Sequence, residues 1–177
     1  MKLDQIRVIL EEAAKLTNHR QFVVVGSLSV LGALLDPPSR MVQSMDVDLY
    51  PKLDPQRVAE INAALGQHSA FARRHGYYAD GVSPRIVSVP SGWEARLIQI
   101  AFYSGVVGWF LEPNDAAVAK LMRGEDRDLE WVDAGLRAGA LSREALEARI
   151  PTAINCLPAE PRAALARLRR LPLSAPP

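Results

Sequence analysis

The chain has 177 residues, of which 49% are hydrophobic and 23% are charged, and its formal net charge is +1. This length allows one domain with a real core, or a domain with a helical appendage. The near-neutral charge indicates no bulk attraction to nucleic acid or membranes, and the single cysteine, Cys156, excludes an intrachain disulfide and a Cys-rich zinc site.

The first part of the chain predicts a helix followed by a strand, helix and strand. Apolar residues at spacings of three and four predict an amphipathic helix over residues 2–17. The β-branched run 22–25 predicts a buried strand that ends at Gly26-Ser27. Residues 28–35 predict a helix, and residues 45–49 predict a second strand.

The N-terminal segment contains acidic residues and no long apolar run, so we expect neither a signal peptide nor a membrane span. A cytoplasmic, bacterial-type protein is the resulting expectation. No membrane partner is predicted.

The middle of the chain predicts a further helix and a β-rich region. Residues 55–65 have helical spacing, and residues 77–82 predict a short strand. Residues 85–89 and 96–102 predict two strands of a hairpin, because the Pro90-Ser91-Gly92-Trp93 segment between them is rich in turn residues.

The last third predicts helices. Asn114 is a suitable N-cap for a helix, a second apolar stripe covers residues 129–136, and Ser142 begins a third helix that Pro151 ends. Residues 161–170 predict a basic helix. The predicted fold class is therefore α+β: a small mixed sheet with flanking helices, followed by a helical C-terminal half.

We expect three parts in this chain. Residues 1–112 are predicted to form the sheet-containing core, residues 113–170 a helical part packed on it, and the proline-rich residues 171–177 a disordered tail.

Two aspartates in the second predicted strand carry the first chemical signal. Residues two apart in a strand share a face, so Asp46 and Asp48 project together while Met45, Val47 and Leu49 face the core. Adjacent carboxylates repel unless a cation lies between them, and Mg²⁺ with substrate phosphates satisfies this requirement.

The Gly26-Ser27 turn supplies a complement to these acids. Glycine lets the backbone approach a ligand closely, and free N–H groups at a helix start favour an anion such as a triphosphate. Taken alone, each half has an ordinary interpretation, as a strand-to-helix turn and as the exposed face of an edge strand. Their order within thirty residues favours a functional site.

These residues resemble the signature of the polymerase-β-like nucleotidyltransferase superfamily. The later segment Ala119-Lys120-Leu121-Met122-Arg123-Gly124-Glu125-Asp126-Arg127-Asp128-Leu129 resembles the helical motif of abortive-infection (AbiEii-type) nucleotidyltransferase toxins and of related uncharacterised bacterial proteins. Without this resemblance, so dense a run of charges is typical of a solvated helix face.

The resemblance implies transfer of a nucleotide from an NTP, with Mg²⁺ or Mn²⁺ as cofactor, to an RNA such as tRNA or to a protein. It implies that Gly26 and Ser27 contact phosphate and that Asp46 and Asp48 bind metal.

The same resemblance implies that Lys120 acts as a point charge near the phosphates, assisted by Arg123 or Arg127. Asp128 either holds Lys120 or Arg123 in place or acts on the acceptor hydroxyl. Arg40, in the loop before the second strand, is a further candidate for phosphate or acceptor binding.

Many active members of the superfamily have a third carboxylate on a later strand. Here the predicted strands offer Ser88 and Gln99 instead, and Asp80 and Glu94 are the available substitutes, although each reads more naturally as a turn residue. Two functions follow: an active nucleotidyltransferase, toxin-like and paired with a cognate antitoxin, or a degenerate fold that binds nucleotide, nucleic acid or a partner protein.

Overall fold

The computed structural model describes residues 1–172, which contain seven α-helices and seven strands. The helices are α1 (Leu3–Thr17), α2 (Val58–Leu65), α3 (Ala70–His75), α4 (Pro113–Arg123), α5 (Asp126–Arg137), α6 (Arg143–Arg149) and α7 (Glu160–Arg170). The strands are β1 (Gln21–Val24), β2 (Asp46–Pro51), β3 (Tyr78–Gly81), β4 (Val89–Pro90), β5 (Ile98–Ala101), β6 (Val107–Phe110) and β7 (Ala153–Ile154).

Five strands form one mixed sheet in the order β3-β2-β1-β6-β5. Strands β1 and β2 are antiparallel, whereas β1 runs parallel to β6 and β2 runs parallel to β3. Strand β5 closes the far edge by pairing antiparallel with β6. The predicted α+β fold, a small mixed sheet with flanking helices and a helical C-terminal half, is confirmed.

The sheet has a hydrophobic cluster on each face, because alternate residues of its strands point in opposite directions. Phe22 and Val24 of β1 pack with Val47 and Leu49 of β2 in the cluster that includes α1 and α2. Val23 and the residue after the strand, Val25, instead join the cluster built from the C-terminal helices. The two acidic positions of β2 therefore lie on the side of the C-terminal helices.

The predicted hairpin of residues 85–89 and 96–102 is wrong. Residues Pro84–Ile86 form a single 3₁₀ turn, and the two-residue strand β4 pairs with β7 from the C-terminal region. The turn-rich segment leads into another 3₁₀ helix, Trp93–Arg96. Strand β5 takes its partner from β6, which the sequence interpretation did not identify.

Three local predictions also need correction. Met45 does not face the core, since its side chain is 62% exposed and β2 begins one residue later. The helix predicted at residues 28–35 is a 3₁₀ helix, Ser27–Gly32. The N-cap of α4 is Glu112, whose carboxylate accepts hydrogen bonds from the backbone N–H groups of Asn114 and Asp115, so Asn114 lies inside the helix.

The basic helix predicted at residues 161–170 is confirmed as α7. After it, the carbonyl oxygens of Leu171 and Pro172 accept hydrogen bonds from Arg143. The remainder of the predicted disordered tail, residues 173–177, lies outside the described residues, and the division at residue 112 stays a prediction. Among the described helices, none has both the length and the apolar character needed to span a membrane.

Candidate active site

The two aspartates of β2 lie beside a third carboxylate on the neighbouring strand. In the parallel pairing of β2 with β3, Asp46 is opposite Tyr78 and Asp48 is opposite Asp80. Because residues two apart on a strand share a face, the register places the four side chains on one face of the sheet. The interpretation of Asp80 as a turn residue is therefore wrong.

The turn after β1 brings the backbone against Asp48. Gly26 has φ 69° and ψ −157°, a combination that only glycine adopts readily. A Cβ atom at this position would lie 1.9 Å from Asp48 Oδ2. Glycine is thus required here both by its dihedral angles and by the carboxylate beside it.

Lys120 of α4 joins the turn to the C-terminal helices. Its ammonium donates hydrogen bonds to Ser27 Oγ at 2.8 Å and to Asp128 Oδ1 at 3.1 Å, and it lies 5.0 Å from the ring centroid of Trp131. The Lys120 side chain is only 5% exposed. The motifs around Ser27 and Lys120, 93 positions apart in sequence, meet directly.

Asp128 is fully buried at the start of α5 and holds two cations. Its carboxylate accepts hydrogen bonds from Arg123 Nε at 2.7 Å and from Arg123 Nη2 at 2.6 Å, in addition to the bond from Lys120. Burial opposes ionisation, but the hydrogen bonds and charges of these two cations keep the pKa of Asp128 below its usual range. Both carboxylate oxygens are engaged, which is the arrangement of a residue that positions its neighbours.

Burial and the neighbouring Asp128 have opposite effects on the pKa of Lys120. Burial lowers the pKa of Lys120, while the charge and the hydrogen bond of Asp128 act in the opposite direction. An ammonium has three N–H donors, and Ser27 and Asp128 accept two of them. The Lys120 ammonium therefore has one N–H donor beyond these two hydrogen bonds.

These groups line one cavity of about 380 Å³, which we call the acid cleft; its chemical groups are Ser27, Asp46, Asp48, Asp80, Lys120, Arg123, Arg127, Asp128 and Arg40. The aspartates of β2 and β3 thus lie in the same cavity as the cationic side chains of the C-terminal helices. Arg127 is exposed and bonded to Glu125 at 2.8 Å, and Arg40 pairs with Glu130 and with Gln43 at 2.7 Å.

The central aspartate of the three, Asp48, binds a proton more tightly than an ordinary aspartate. Burial, and then the charges of Asp46 and Asp80, raise the pKa of Asp48 to about 7. Partial loss of hydration and the charge of Asp46 also raise the pKa of Asp80, although its side chain is exposed. Asp46 accepts a hydrogen bond from Ser44 Oγ. A cation near Asp48 would offset the repulsion from Asp46 and Asp80, which adds to the effect of burial on the pKa of Asp48.

The donor set fits a hard divalent cation that also takes oxygen atoms from a ligand. Within residues 1–172, no three His, Cys, Asp or Glu side chains are grouped closely enough to hold a metal by themselves. Mg²⁺ is usually bound by one or two carboxylates together with substrate phosphates and water, not by a complete protein cage. Asp46 and Asp48 are therefore suitable for Mg²⁺ or Mn²⁺ that arrives with a phosphate ligand.

The remaining predicted candidates lie elsewhere. Glu94 is exposed in the 3₁₀ helix before β5 and does not line the acid cleft. Gln99 is exposed on the edge strand β5. The signal that could have selected Asp80 is the alternation from Tyr77 to Asp80, in which the first and third residues are buried.

One protein-family model matches nearly the whole chain. The model is described as a nucleotidyltransferase of unknown function (DUF6036), and it matches residues 4–169. Searches of curated proteins and of solved structures found no significant match.

Proposed function

Because the chain belongs to this family of nucleotidyltransferases, we propose that it transfers a nucleotide from an NTP to an RNA or protein acceptor with the help of Mg²⁺ or Mn²⁺. The observation that supports this proposal best is the convergence of Asp46, Asp48 and Lys120 on one cleft. Separate segments of the chain supply the acids and the cation, and they meet where a metal-bound triphosphate needs both.

The triphosphate would lie in the acid cleft between the aspartates of β2 and β3 on one side and the cations of the C-terminal helices on the other. Ser27 accepts a hydrogen bond from Lys120, so its own hydroxyl hydrogen is free to donate to a phosphate oxygen. Lys120 and Arg123 would neutralise phosphate charge. Arg127 would meet the outer part of the ligand, since it is exposed at the cleft mouth.

Asp46 and Asp48 would hold the divalent cation, which polarises the phosphate oxygens and stabilises the charge that develops during in-line displacement. Asp128 would act indirectly by fixing Lys120 and Arg123. This positioning role follows from its burial and from the full use of its two oxygens.

The transfer itself balances as a displacement at the α-phosphorus. The acceptor hydroxyl oxygen forms a bond to the α-phosphorus, the bond to the bridging oxygen of the β-phosphate breaks, and pyrophosphate leaves with the electron pair. We assign the hydroxyl proton to Asp80, which lies at the edge of the acid cleft and is exposed.

The acceptor would approach Asp80 from the open edge of the sheet. Asp80 also lines a second, polar groove of about 370 Å³, together with His68, Ser69 and Tyr78. An acceptor lying in that groove would reach the acid cleft at the carboxylate that receives its proton.

The presence of Asp80 in the cleft favours an active enzyme over the degenerate alternative. The alternative depends on a missing third carboxylate, because Ser88 and Gln99 stand where the sequence predicts the strands that would carry it. The register of β3 supplies an acid from a different strand.

We propose further that the chain is the toxin of a toxin–antitoxin pair, on the basis of the resemblance of residues 119–129 to the abortive-infection toxins. We expect the native chain to slow growth when expressed in a bacterial host, and a cognate antitoxin to relieve that effect. Growth that is equally slow with an Asp46→Ala and Asp48→Ala double variant would contradict a toxin activity of this site.

The enzymatic proposal is tested by incubating the pure protein with each labelled NTP, Mg²⁺ or Mn²⁺, and total tRNA or cell extract. We expect labelled RNA or protein that requires the divalent cation and disappears in the Asp46→Ala and Asp48→Ala double variant. Labelling that persists in the double variant would assign the activity to another source.

A further inference from the structure

Another cavity, separate from the polar groove at Asp80, opens beside the acid cleft, and its lining is more apolar than that of the cleft. This cavity, which we call the apolar chamber, has a volume of about 160 Å³, and its apolar lining comes from Val25, Val82, Ile86, Val87, Ala116 and Ala119. It shares Gly26, Asp48, Lys120 and Arg123 with the acid cleft. A ligand charged at one end and uncharged at the other would therefore find both parts of its site adjacent.

The chamber exists because small side chains line its helical wall. Ala116 and Ala119 are three positions apart on α4, so they lie on one face of the helix. Val25, directly after β1, is buried in the same hydrophobic cluster as Ala116. A larger residue at position 119, which is half-buried, would occupy this space.

The opposite wall is fixed in place by the C-terminal region. Asn155 donates hydrogen bonds to the carbonyl oxygens of Pro84 at 3.3 Å and Val87 at 3.2 Å, and its own carbonyl accepts one from Ser88 Oγ at 3.0 Å. Ile86, between these anchored residues, is 71% exposed. Residues 84–88 thus present the exposed Ile86 side chain at the cavity, and hydrogen bonds that involve backbone carbonyl oxygens join this segment to Asn155.

The volume of the chamber limits what it can hold. Pockets for whole drug-sized ligands measure about 300–1,000 Å³, so a chamber of about 160 Å³ takes only part of such a ligand. An apolar cavity of about 150 Å³ is large enough to bind benzene. One aromatic ring therefore fits inside, with any further ring at the mouth near Ile86.

We infer that the apolar chamber binds the nucleobase of the NTP whose phosphates lie in the acid cleft. This inference rests on the proposed function and extends it by assigning the uncharged end of the substrate. Lys120 and Arg123, which line both cavities, would mark the boundary between phosphate and nucleoside. The guanidinium of Arg123 offers a flat surface beside which a planar ring can lie.

Calorimetry with Mg²⁺ tests the assignment by comparing an NTP with inorganic tripolyphosphate, which has the charge but no base. We expect at least one NTP to bind the native chain about tenfold or more tightly than tripolyphosphate, since burial of an aromatic ring contributes about this much.

An Ala119→Leu variant fills the chamber from α4. It should weaken NTP binding about tenfold and leave tripolyphosphate binding unchanged. Ala148→Leu, an exposed alanine on α6, is the matched control and should change neither affinity.

An Ile86→Ala variant provides a second test with little risk to folding, because the side chain is largely exposed. It should weaken NTP binding a few-fold without affecting tripolyphosphate. The chamber assignment alone is overturned if the native chain binds every NTP no more tightly than tripolyphosphate. It is also overturned if Ala119→Leu and Ile86→Ala weaken the binding of NTP and of tripolyphosphate in parallel. If neither ligand binds the native chain with Mg²⁺, the proposed function itself is contradicted.

Discussion

The backbone of Gly26 lies directly against the carboxylate of Asp48, so close that a Cβ atom on Gly26 would be 1.9 Å from Asp48 Oδ2. This contact joins the turn after β1 to the acidic strand β2. It couples the shape of the candidate phosphate site to the position of a candidate metal ligand, so the two cannot be changed independently.

Gly26→Ala is therefore expected to abolish nucleotide transfer and to lower the free energy of unfolding by about 1–3 kcal/mol, because its dihedral angles suit only glycine. The measurements are urea unfolding and the transfer assay.

Gly76→Ala is the matched control, since Gly76 also has a positive φ, 74°, but nothing within 4 Å of an added Cβ. It should destabilise the chain and leave transfer intact. Normal transfer by Gly26→Ala would contradict the requirement for close contact with Asp48.

The buried ion group of Lys120 and Asp128 gives a prediction about stability. Asp128→Asn should cost about 3 kcal/mol, because it leaves a buried ammonium without its charged partner. Combining it with Lys120→Met should cost clearly less than the sum of the two single changes, since the buried charge is then removed.

Glu125→Gln, in the exposed pair with Arg127, is the control for this cycle and should cost less than about 1 kcal/mol. Urea unfolding of the native chain, the two single variants, the double variant and the Glu125→Gln control checks the prediction. Strict additivity of the Asp128 and Lys120 changes would show that the two side chains do not depend on each other.

The pH dependence of stability should report Asp48. Its pKa is raised from 3.8 to about 7 in the folded chain, so between these values the folded chain keeps a proton that the unfolded chain releases. The raised pKa of Asp48 therefore makes its full contribution to the free energy of unfolding below about pH 4. This contribution falls by on the order of 3 kcal/mol as the pH rises to about 7.

Asp48→Asn isolates this effect from other titrating groups. The lowered pKa values of Asp128 and Glu112 act in the opposite sense and at lower pH. In metal-free buffer, the stability of native chain relative to Asp48→Asn should fall from pH 4 to pH 7. Parallel curves for the two proteins would contradict the raised pKa.

The third carboxylate can be identified by comparing Asp80 with Glu94. Asp80→Ala should lower the rate of transfer about 100-fold or more, in the range expected for loss of a general base, with a smaller effect on NTP affinity. Glu94→Ala should leave the rate unchanged, because Glu94 lies outside the acid cleft. The opposite ranking of these two variants would contradict the assignment of Asp80.

The sequence was most informative where a local pattern determined the structure. The β-branched run 22–25, the alternation around Asp46 and Asp48, and the apolar spacing of the helices all have local causes, and the structure confirms these elements. The contact of Lys120 with Ser27 joins residues that are far apart in the sequence, so no local pattern could indicate it.

The sequence was least informative where pairing partners are distant. Strand β6 contains the small Gly108 and has only four residues, so its place inside the sheet depends on pairing with β1 and β5. Strand β4 pairs with β7, about 65 residues away, which no turn pattern could indicate. The sequence favours a turn position for Asp80, because aspartate is common in turns. In the structure its position is set by the register of β3 with Asp48 of β2.

The central claim, transfer of a nucleotide at the acid cleft, is tested most directly by comparing NTPs labelled on the α-phosphate with NTPs labelled on the γ-phosphate. With Mg²⁺ and tRNA or cell extract, the α label should appear on the acceptor and the γ label in pyrophosphate, and both signals should be lost in the Asp46→Ala and Asp48→Ala double variant. Appearance of the γ label on the acceptor, or no label on any acceptor with any of the four NTPs, would contradict the claim.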